Sequence, residues 1–274
     1  MDLSAELAIA ERAAREAGEL VAAAYARGPI AVETKADRTP VTAADRQASA
    51  RIVARLREAF PGDGLLSEEE ADDPARLERR RVWIVDPLDG TRDFVARTGQ
   101  FAVHVGLAID GAAVVGAVYL PIAGAMYAAA AGGGAWRTRG GERTRLRVSA
   151  AARPEELRIG TSRLNATGRL GRFLGEAGLA ARAVPMGASV KHMALAEGAL
   201  DACVNLSPGE QEWDTLAPEV VIREAGGLVT DGDGRPFRYN QRDLGHHRGS
   251  VASNGACHAA LIELLRPHLL EDTR

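Results

Sequence analysis

Cysteine is almost missing from this 274-residue chain: Cys203 and Cys257 are the only two. That is too few for a disulfide framework, and each reads as a small apolar core residue rather than a nucleophile. Aromatic residues make up 4%, so the core has to be packed from aliphatic side chains and from plentiful Ala and Gly. No apolar run is long enough to span a bilayer. The opening residues, Met1-Asp2-Leu3-Ser4-Ala5-Glu6, lack the basic region and continuous apolar stretch of a secretory leader. The expectation is a cytoplasmic protein without a membrane partner. Neither charge sign dominates, with a formal net charge of −3, which speaks against a nucleic-acid polymer as partner. The six His residues show none of the spacings of zinc sites. Arg79-Arg80-Arg81 is a short basic run that reads as a solvated lead-in to a strand.

What is present is a globular composition, 46% hydrophobic and 26% charged, long enough for one large domain or two modest ones. Leu3, Leu7, Ala10, Ala14, Ala17 and Val21 recur at helical spacing, and Gly28-Pro29 ends that helix. Thr42 and Asp45 stand at capping-box spacing ahead of a second helix that runs to about Phe60. Residues 65–73 are an acidic stretch and 82–85 a strand. From Phe101 to Val148 the pattern is antiparallel β: strand 101–109, an Asp110-Gly111 hairpin turn, strand 112–120, then two or three more strands. After about residue 150 strands and helices alternate: 157–161, 167–177, 181–185, 189–198 and 201–206. A helix follows from Asp214 to Gly226-Gly227, then a strand near 249–253 and a helix near 256–270. The change of texture suggests a junction between an N-terminal α+β part, 1–150, and a C-terminal α/β part, 151–274, with the active site where they meet.

The richest stretch is Trp83-Ile84-Val85-Asp86-Pro87-Leu88-Asp89-Gly90-Thr91-Arg92-Asp93-Phe94. An apolar run feeds into two carboxylates three residues apart. Pro87 keeps Asp86 out of the helical region, and Gly90 permits a sharp turn or a close approach to a ligand. Clustered carboxylates repel one another unless a cation neutralises them or one holds a proton, so a hard divalent metal site is the economical reading. An ordinary strand-to-turn junction would also place Asp and Gly here. Two more acidic groups stand at element termini: Glu68-Glu69-Glu70, which is otherwise a solvated loop, and Glu212-Trp213-Asp214-Thr215, where Asp214 is otherwise a helix cap.

The order of these pieces resembles the inositol monophosphatase superfamily over essentially the whole chain. The resemblance is carried by Lys35-Ala36-Asp37-Arg38-Thr39-Pro40-Val41-Thr42 with Asp45, by Ser67-Glu68-Glu69, by Asp86-Pro87-Leu88-Asp89-Gly90-Thr91, and by Trp213-Asp214 ahead of Ala225-Gly226-Gly227. It implies a layered αβαβα sandwich and a Mg²⁺-dependent, Li⁺-sensitive phosphatase with two, possibly three, metal ions. It implies that Glu68, Asp86 and the Leu88 carbonyl hold one ion, and that Asp86, Asp89 and Asp214 hold a second. Thr91, paired with Asp45, would activate the attacking water. Glu69 and Lys35 would form an outer shell, and the amides of Gly90 and Thr91 would hold the substrate phosphate. The physics agrees: a phosphate monoester is dianionic, and carboxylates repel it unless cations reverse the local field.

Within the superfamily, Val105-Gly106-Leu107-Ala108, Val115 to Pro121, Gly187-Ala188-Ser189-Val190-Lys191 with Ala196-Glu197-Gly198, Glu212 to Glu219, and Tyr239-Asn240 resemble the 3'(2'),5'-bisphosphate nucleotidases. This implies a nucleotide bisphosphate substrate, 3'-phosphoadenosine 5'-phosphate, with contacts from Ser162, Asn165, Ser189 and Lys191. Two positions depart from that pattern. Ala188 stands where a Ser is usual, and Asn165 where a His is common; Asn can hydrogen-bond a base or ribose but carries no charge to a phosphate. A sibling phosphatase acting on inositol 1-phosphate, fructose 1,6-bisphosphate or histidinol phosphate is the alternative. A non-catalytic regulator is a further one, against which the presence of Thr91 argues. Monomer and homodimer are both open.

Overall fold

The helical spacing at the N-terminus is realised as α1 (Ser4–Ala26) in the computed structural model, which describes residues 1–28, 30–34, 40–163, 168–187, 189–207 and 209–269. A two-strand ladder, β1 (Glu33–Thr34) with β2 (Pro40–Val41), leads into α2 (Ala43–Ala59). Then come β3 (Gly64–Ser67), β4 (Arg81–Asp89), the short α3 (Thr91–Val95), β5 (Ala102–Ile109), β6 (Ala112–Leu120), β7 (Ala125–Ala130), β8 (Ala135–Arg139) and β9 (Glu142–Arg145). The second half runs β10 (Ile159–Ser162), α4 (Gly168–Glu176), β11 (Ala183–Met186), α5 (Val190–Ala196), β12 (Ala202–Asn205), α6 (Glu212–Glu224), β13 (Leu228–Asp231), β14 (Ser250–Ser253) and α7 (His258–Leu265).

β3 to β9 form one seven-stranded sheet in chain order. It is antiparallel except at its first pair: β3 runs parallel to β4. The acidic stretch 65–73 therefore begins as a strand, which its polar residues concealed. Asp110 and Gly111 both take positive φ, 51° and 78°, the two-residue turn that matches strand twist. The second sheet has five strands in the order β11-β10-β12-β14-β13. Its first three strands are parallel and β14 is antiparallel to both its neighbours; β13 was not anticipated. The chain passes from one sheet to the other between β9 and β10.

Alternation along the strands builds the layers. Trp83, Val85, Val103, Val105 and Leu107 pack against Ala10, Ala14, Ala17, Ala48 and Ile52 of α1 and α2. Val82 and Ile84 point the other way, into a core shared with Met193 and Leu195 of α5 and Leu216, Ala217 and Val220 of α6. That layer also meets Cys203 and Ala252 of the second sheet, whose far face (Ile159, Val204, Val251) packs on Phe173 of α4 and Leu261 of α7. The order of layers is thus αβαβα. Both cysteines are buried.

The middle layer lies unusually close to the first sheet. Gly106 and Gly116 are directly paired on β5 and β6. A Cβ on Gly106 would stand 2.1 Å from Leu216, and one on Gly116 2.4 Å from the Ala217 carbonyl oxygen. The two glycines cut a notch in the sheet that α6 fills, and α6 carries Asp214 to the tip of β4.

Candidate active site

Asp86 and Asp89 are three residues apart, so in a regular strand their side chains would face opposite sides of the sheet. The ladder between β4 and β5 pairs Asp86 with His104 and Asp89 with Ala102. Three steps on β4 match two on β5, a bulge at Pro87-Leu88. Pro87 has no N–H to lose from the ladder, and the extra residue turns Asp89 back to the side of Asp86. Both then face α6. Asp86, Asp89 and Asp214 each present an oxygen, and these three lie within 4.8 Å of one another.

In each of these carboxylates a backbone amide holds one oxygen. Leu88 N–H donates to Asp86 at 2.9 Å, Ser189 N–H to Asp89 at 2.6 Å and Gln211 N–H to Asp214 at 2.7 Å. The rotamers are set by the fold before any ligand arrives, as a preorganised donor set requires. Asp214 is the third residue of α6, not its cap; the helix begins two residues earlier than anticipated. Burial first, and then Glu68, Asp89 and Asp214, push the Asp86 carboxyl well above the usual carboxylate range. Burial and Asp89 do the same to Asp214. An all-oxygen set under such mutual repulsion fits a hard divalent cation.

Asp45 serves two roles at once. Its Oδ2 accepts the Thr42 N–H at 2.8 Å and the Thr42 hydroxyl at 2.5 Å, completing the capping box of α2. Its Oδ1 accepts the Thr91 hydroxyl at 3.1 Å. The Leu88 carbonyl lies 3.2 Å from the same hydroxyl, which has one proton to give. Gly90, at φ 91°, lets the chain turn from β4 into α3.

A cleft of about 330 Å³ opens over the cluster, lined by Glu68, Asp86, Leu88, Asp89, Gly90, Thr91 and Asp214 on one wall and Ser162, Ser189, Lys191, Asn205, Ser207 and Glu210 on the other. Every described site residue named from the sequence thus meets in one place except Glu69, which is half-buried beside Glu68 but outside that lining, and Asp45, which sits behind Thr91. Lys35, Asn165 and Ala188 lie outside the described residues. Several lining residues, Asn205, Ser207 and Glu210 among them, escaped the sequence reading, and so did His104 behind the cluster. His104 is fully buried, with Nδ1 3.2 Å from the Trp213 carbonyl and Nε2 3.4 Å from Asp89; burial lowers its basicity. A histidine inside the apolar run 101–109 was the available signal. Glu210 sits in a loop with no pattern to mark it.

The turn that brings Ser189 to Asp89 depends on Gly187, where a Cβ would stand 2.8 Å from the Asp93 carboxylate. Gly187 N–H donates to Gln100 Oε1 at 2.6 Å, and Arg163 donates to the same oxygen at 2.8 Å. The second half of the chain is pinned here to the tip of the first sheet.

Comparison with known proteins agrees with this geometry. The chain is 37% identical over 232 residues to the 3'(2'),5'-bisphosphate nucleotidase CysQ of Escherichia coli, covering 84% of this chain and 92% of that protein. It is 35% identical over 269 residues to a histidinol-phosphatase of Mycobacterium tuberculosis, covering 96% and 97%. The structure of CysQ from Bacteroides thetaiotaomicron superimposes with a TM-score of 0.77 at 30% identity, covering 90% of this chain and 96% of that one. Residues 2–270 match the inositol monophosphatase family, and the chain belongs to that family of metal-dependent phosphatases.

Proposed function

We propose that the chain is a 3'(2'),5'-bisphosphate nucleotidase that hydrolyses 3'-phosphoadenosine 5'-phosphate to AMP and phosphate. The observation that carries this reading is Lys191. It is buried to 9% exposure yet lines the same cleft as the carboxylate cluster, where a point positive charge suits a second, uncleaved phosphate. Of 34 basic residues only Lys35 and Lys191 are lysine. A chain that uses Arg almost everywhere keeps Lys at two candidate site positions.

In this reading Glu68, Asp86 and the Leu88 carbonyl would hold one Mg²⁺, and Asp86, Asp89 and Asp214 would hold another; Glu69 would belong to the outer shell, to which the resemblance also assigns Lys35, a residue outside those described. When bound, the cations supply the positive field that a phosphate dianion and a departing alkoxide require. Thr91 Oγ1 donates its hydrogen bond to Asp45 Oδ1, so its lone pairs are left to accept from the attacking water and orient it. Glu68 flanks that water. The amides of Gly90 and Thr91 hold phosphate oxygens. Ser162, Ser189 and Lys191 hold the rest of the nucleotide. Water adds its oxygen to phosphorus, the bond from phosphorus to the ribose oxygen breaks, and that oxygen takes up a proton.

The test is phosphate release with Mg²⁺ from 3'-phosphoadenosine 5'-phosphate, inositol 1-phosphate, fructose 1,6-bisphosphate and histidinol phosphate at equal low concentration. The expected preference for the nucleotide is about a hundredfold or more, roughly 3 kcal/mol of differential transition-state binding. A preference for histidinol phosphate favours the second reading, which rests on the near-complete alignment with the mycobacterial histidinol-phosphatase.

A further inference from the structure

Arg76 is the one buried arginine among the described residues, 2% exposed. It stands in the short turn Pro74–Glu78 that runs into β4, outside the lining of the cleft. A guanidinium taken out of water is costly unless its donors are met, and here there is a partner for each of its five N–H groups. Nε and Nη2 donate to the two Asp72 oxygens at 2.6 and 3.0 Å. Nη1 donates to Asn240 Oδ1 at 2.8 Å, and Nη1 and Nη2 both donate to the Gln241 carbonyl at 3.1 Å. Asn240 Nδ2 returns a bond to the Arg76 carbonyl at 2.9 Å. A segment of the second half of the chain is thus fastened to the lead-in of β4.

That segment frames the start of α6. Asn240, at φ 63°, and Gln241 each donate their N–H to one oxygen of the buried Glu212, both at 2.7 Å. Glu212 N–H donates to the Leu244 carbonyl at 3.0 Å, and Gln211 pairs with Gly245 in an isolated β-bridge. Gln211 N–H in turn holds Asp214. A run of short bonds therefore leads from the approach to β4, which carries Asp86 and Asp89, to the helix end that carries Asp214. Tyr239-Asn240, a pair that belongs to the sequence resemblance but not to the cleft lining, lies on this run. We propose that Arg76 and Asn240 are positioning residues: they hold loop 239–245, and through it the first turn of α6, so that Asp214 meets Asp86 and Asp89 around a cation. The inference rests on the cation reading of that cluster and not on the identity of the substrate.

The experiment titrates Mg²⁺ into the wild type, Asn240→Gly, Arg76→Lys and Arg76→Met by calorimetry without substrate, and records the Tm of each cation-free protein. Asn240→Gly keeps the left-handed backbone and removes both side-chain bonds to Arg76; Mg²⁺ affinity is expected to fall about 3- to 10-fold, at or below the range for outer-shell partners of a metal site. Arg76→Met removes all five bonds and is expected to cost about tenfold or more. Deleting a positive charge would by itself draw a cation in more tightly, so weaker binding reports lost geometry. Arg76→Lys keeps the charge without the planar fork and is expected to weaken binding as well. Mg²⁺ affinity that stays at the wild-type value or rises in Asn240→Gly and in the folded Arg76 variants, with only Tm lowered, overturns the inference and leaves the network a purely structural one. If Arg76→Met fails to fold, Asn240→Gly and Arg76→Lys decide the matter. A wild type that binds no Mg²⁺ removes the cation reading itself, and the positioning role with it.

Discussion

The two walls of the cleft are built differently. The carboxylate wall is almost one piece of sequence: Asp86, Leu88, Asp89, Gly90 and Thr91 are consecutive or nearly so, and only Glu68 and Asp214 come from elsewhere. Each of its three clustered carboxylates is clamped by a backbone amide. The opposite wall collects Ser162, Ser189, Lys191, Asn205, Ser207 and Glu210 from β10, α5, β12 and the loop that follows β12. Cation chemistry needs fixed oxygens at short range and so favours a strand tip with a bulge. Substrate recognition tolerates single groups reaching in from several elements. Chemistry and specificity should therefore respond separately to mutation.

The largest effect is expected on the first wall. Asp89→Asn removes one charge from the cluster and should lower turnover by about a thousandfold or more, with the circular dichroism spectrum unchanged. Near-wild-type activity in saturating Mg²⁺ would falsify the metal assignment. Thr91→Val keeps the shape and loses the hydroxyl that meets Asp45; kcat should fall about a hundredfold or more while cation affinity, read by calorimetry, stays close to wild type. A parallel loss of cation affinity would mean that Thr91 holds the cluster rather than the water.

On the second wall the effect should be smaller and should fall on KM. Lys191→Ala is expected to raise KM for the bisphosphate about tenfold more than for a monophosphate. Lys191→Arg should rescue this poorly, because a planar fork does not replace a point charge. Equal changes for both substrates would take Lys191 out of recognition. The notch tests whether the walls are joined through packing. Gly116→Ala places a Cβ 2.4 Å from the Ala217 carbonyl and should cost about 1–3 kcal/mol in denaturant unfolding. It should also weaken cation binding, since α6 carries Asp214. A stability loss with unaltered cation affinity would show that Asp214 is positioned independently of the notch.

The smallest expected effect is on the pH dependence of stability. The Asp86 and Asp214 carboxyls are raised in the folded chain. Between the ordinary carboxylate value and the raised one, the folded state holds protons that the unfolded state has lost. Its stability therefore falls as pH rises through that window. The buried histidines pull the other way below about pH 6.5, because His104, His192 and His258 are lowered in the folded chain and His246 is lowered to about 4. The clean observable is the rise in Tm on adding Mg²⁺, which should grow from pH 5 to pH 8 as more carboxylate charge is left for the cation to neutralise. A rise that shrinks with pH would place cation binding away from these two residues.

How much of this was readable in advance differs from place to place. The capping box at Thr42 and Asp45, the Asp110-Gly111 turn and strand 112–120 stand where local chemistry put them, because caps and tight turns are decided within four residues. β3 was hidden in an acidic stretch, since half of its four residues, Gly64 and Ser67, carry no apolar signal. β13, at 228–231, was missed for a similar reason: Leu228 faces solvent on an edge strand and its pattern does not alternate cleanly.

At the site, the sequence by itself determined which carboxylates and which hydroxyl are present and that they end a buried strand. The αβαβα order of layers was an implication of the family resemblance; the periods of the apolar residues marked helices and strands but not how they stack. Only the tertiary structure decided that Asp86 and Asp89 share a face, because that depends on three residues of β4 being matched by two of β5. Only it showed that the Asp45 oxygen left over from the capping box meets Thr91. Glu210 was invisible for the same reason: a lone Glu in a polar loop has no place in the cleft until the chain has closed around it.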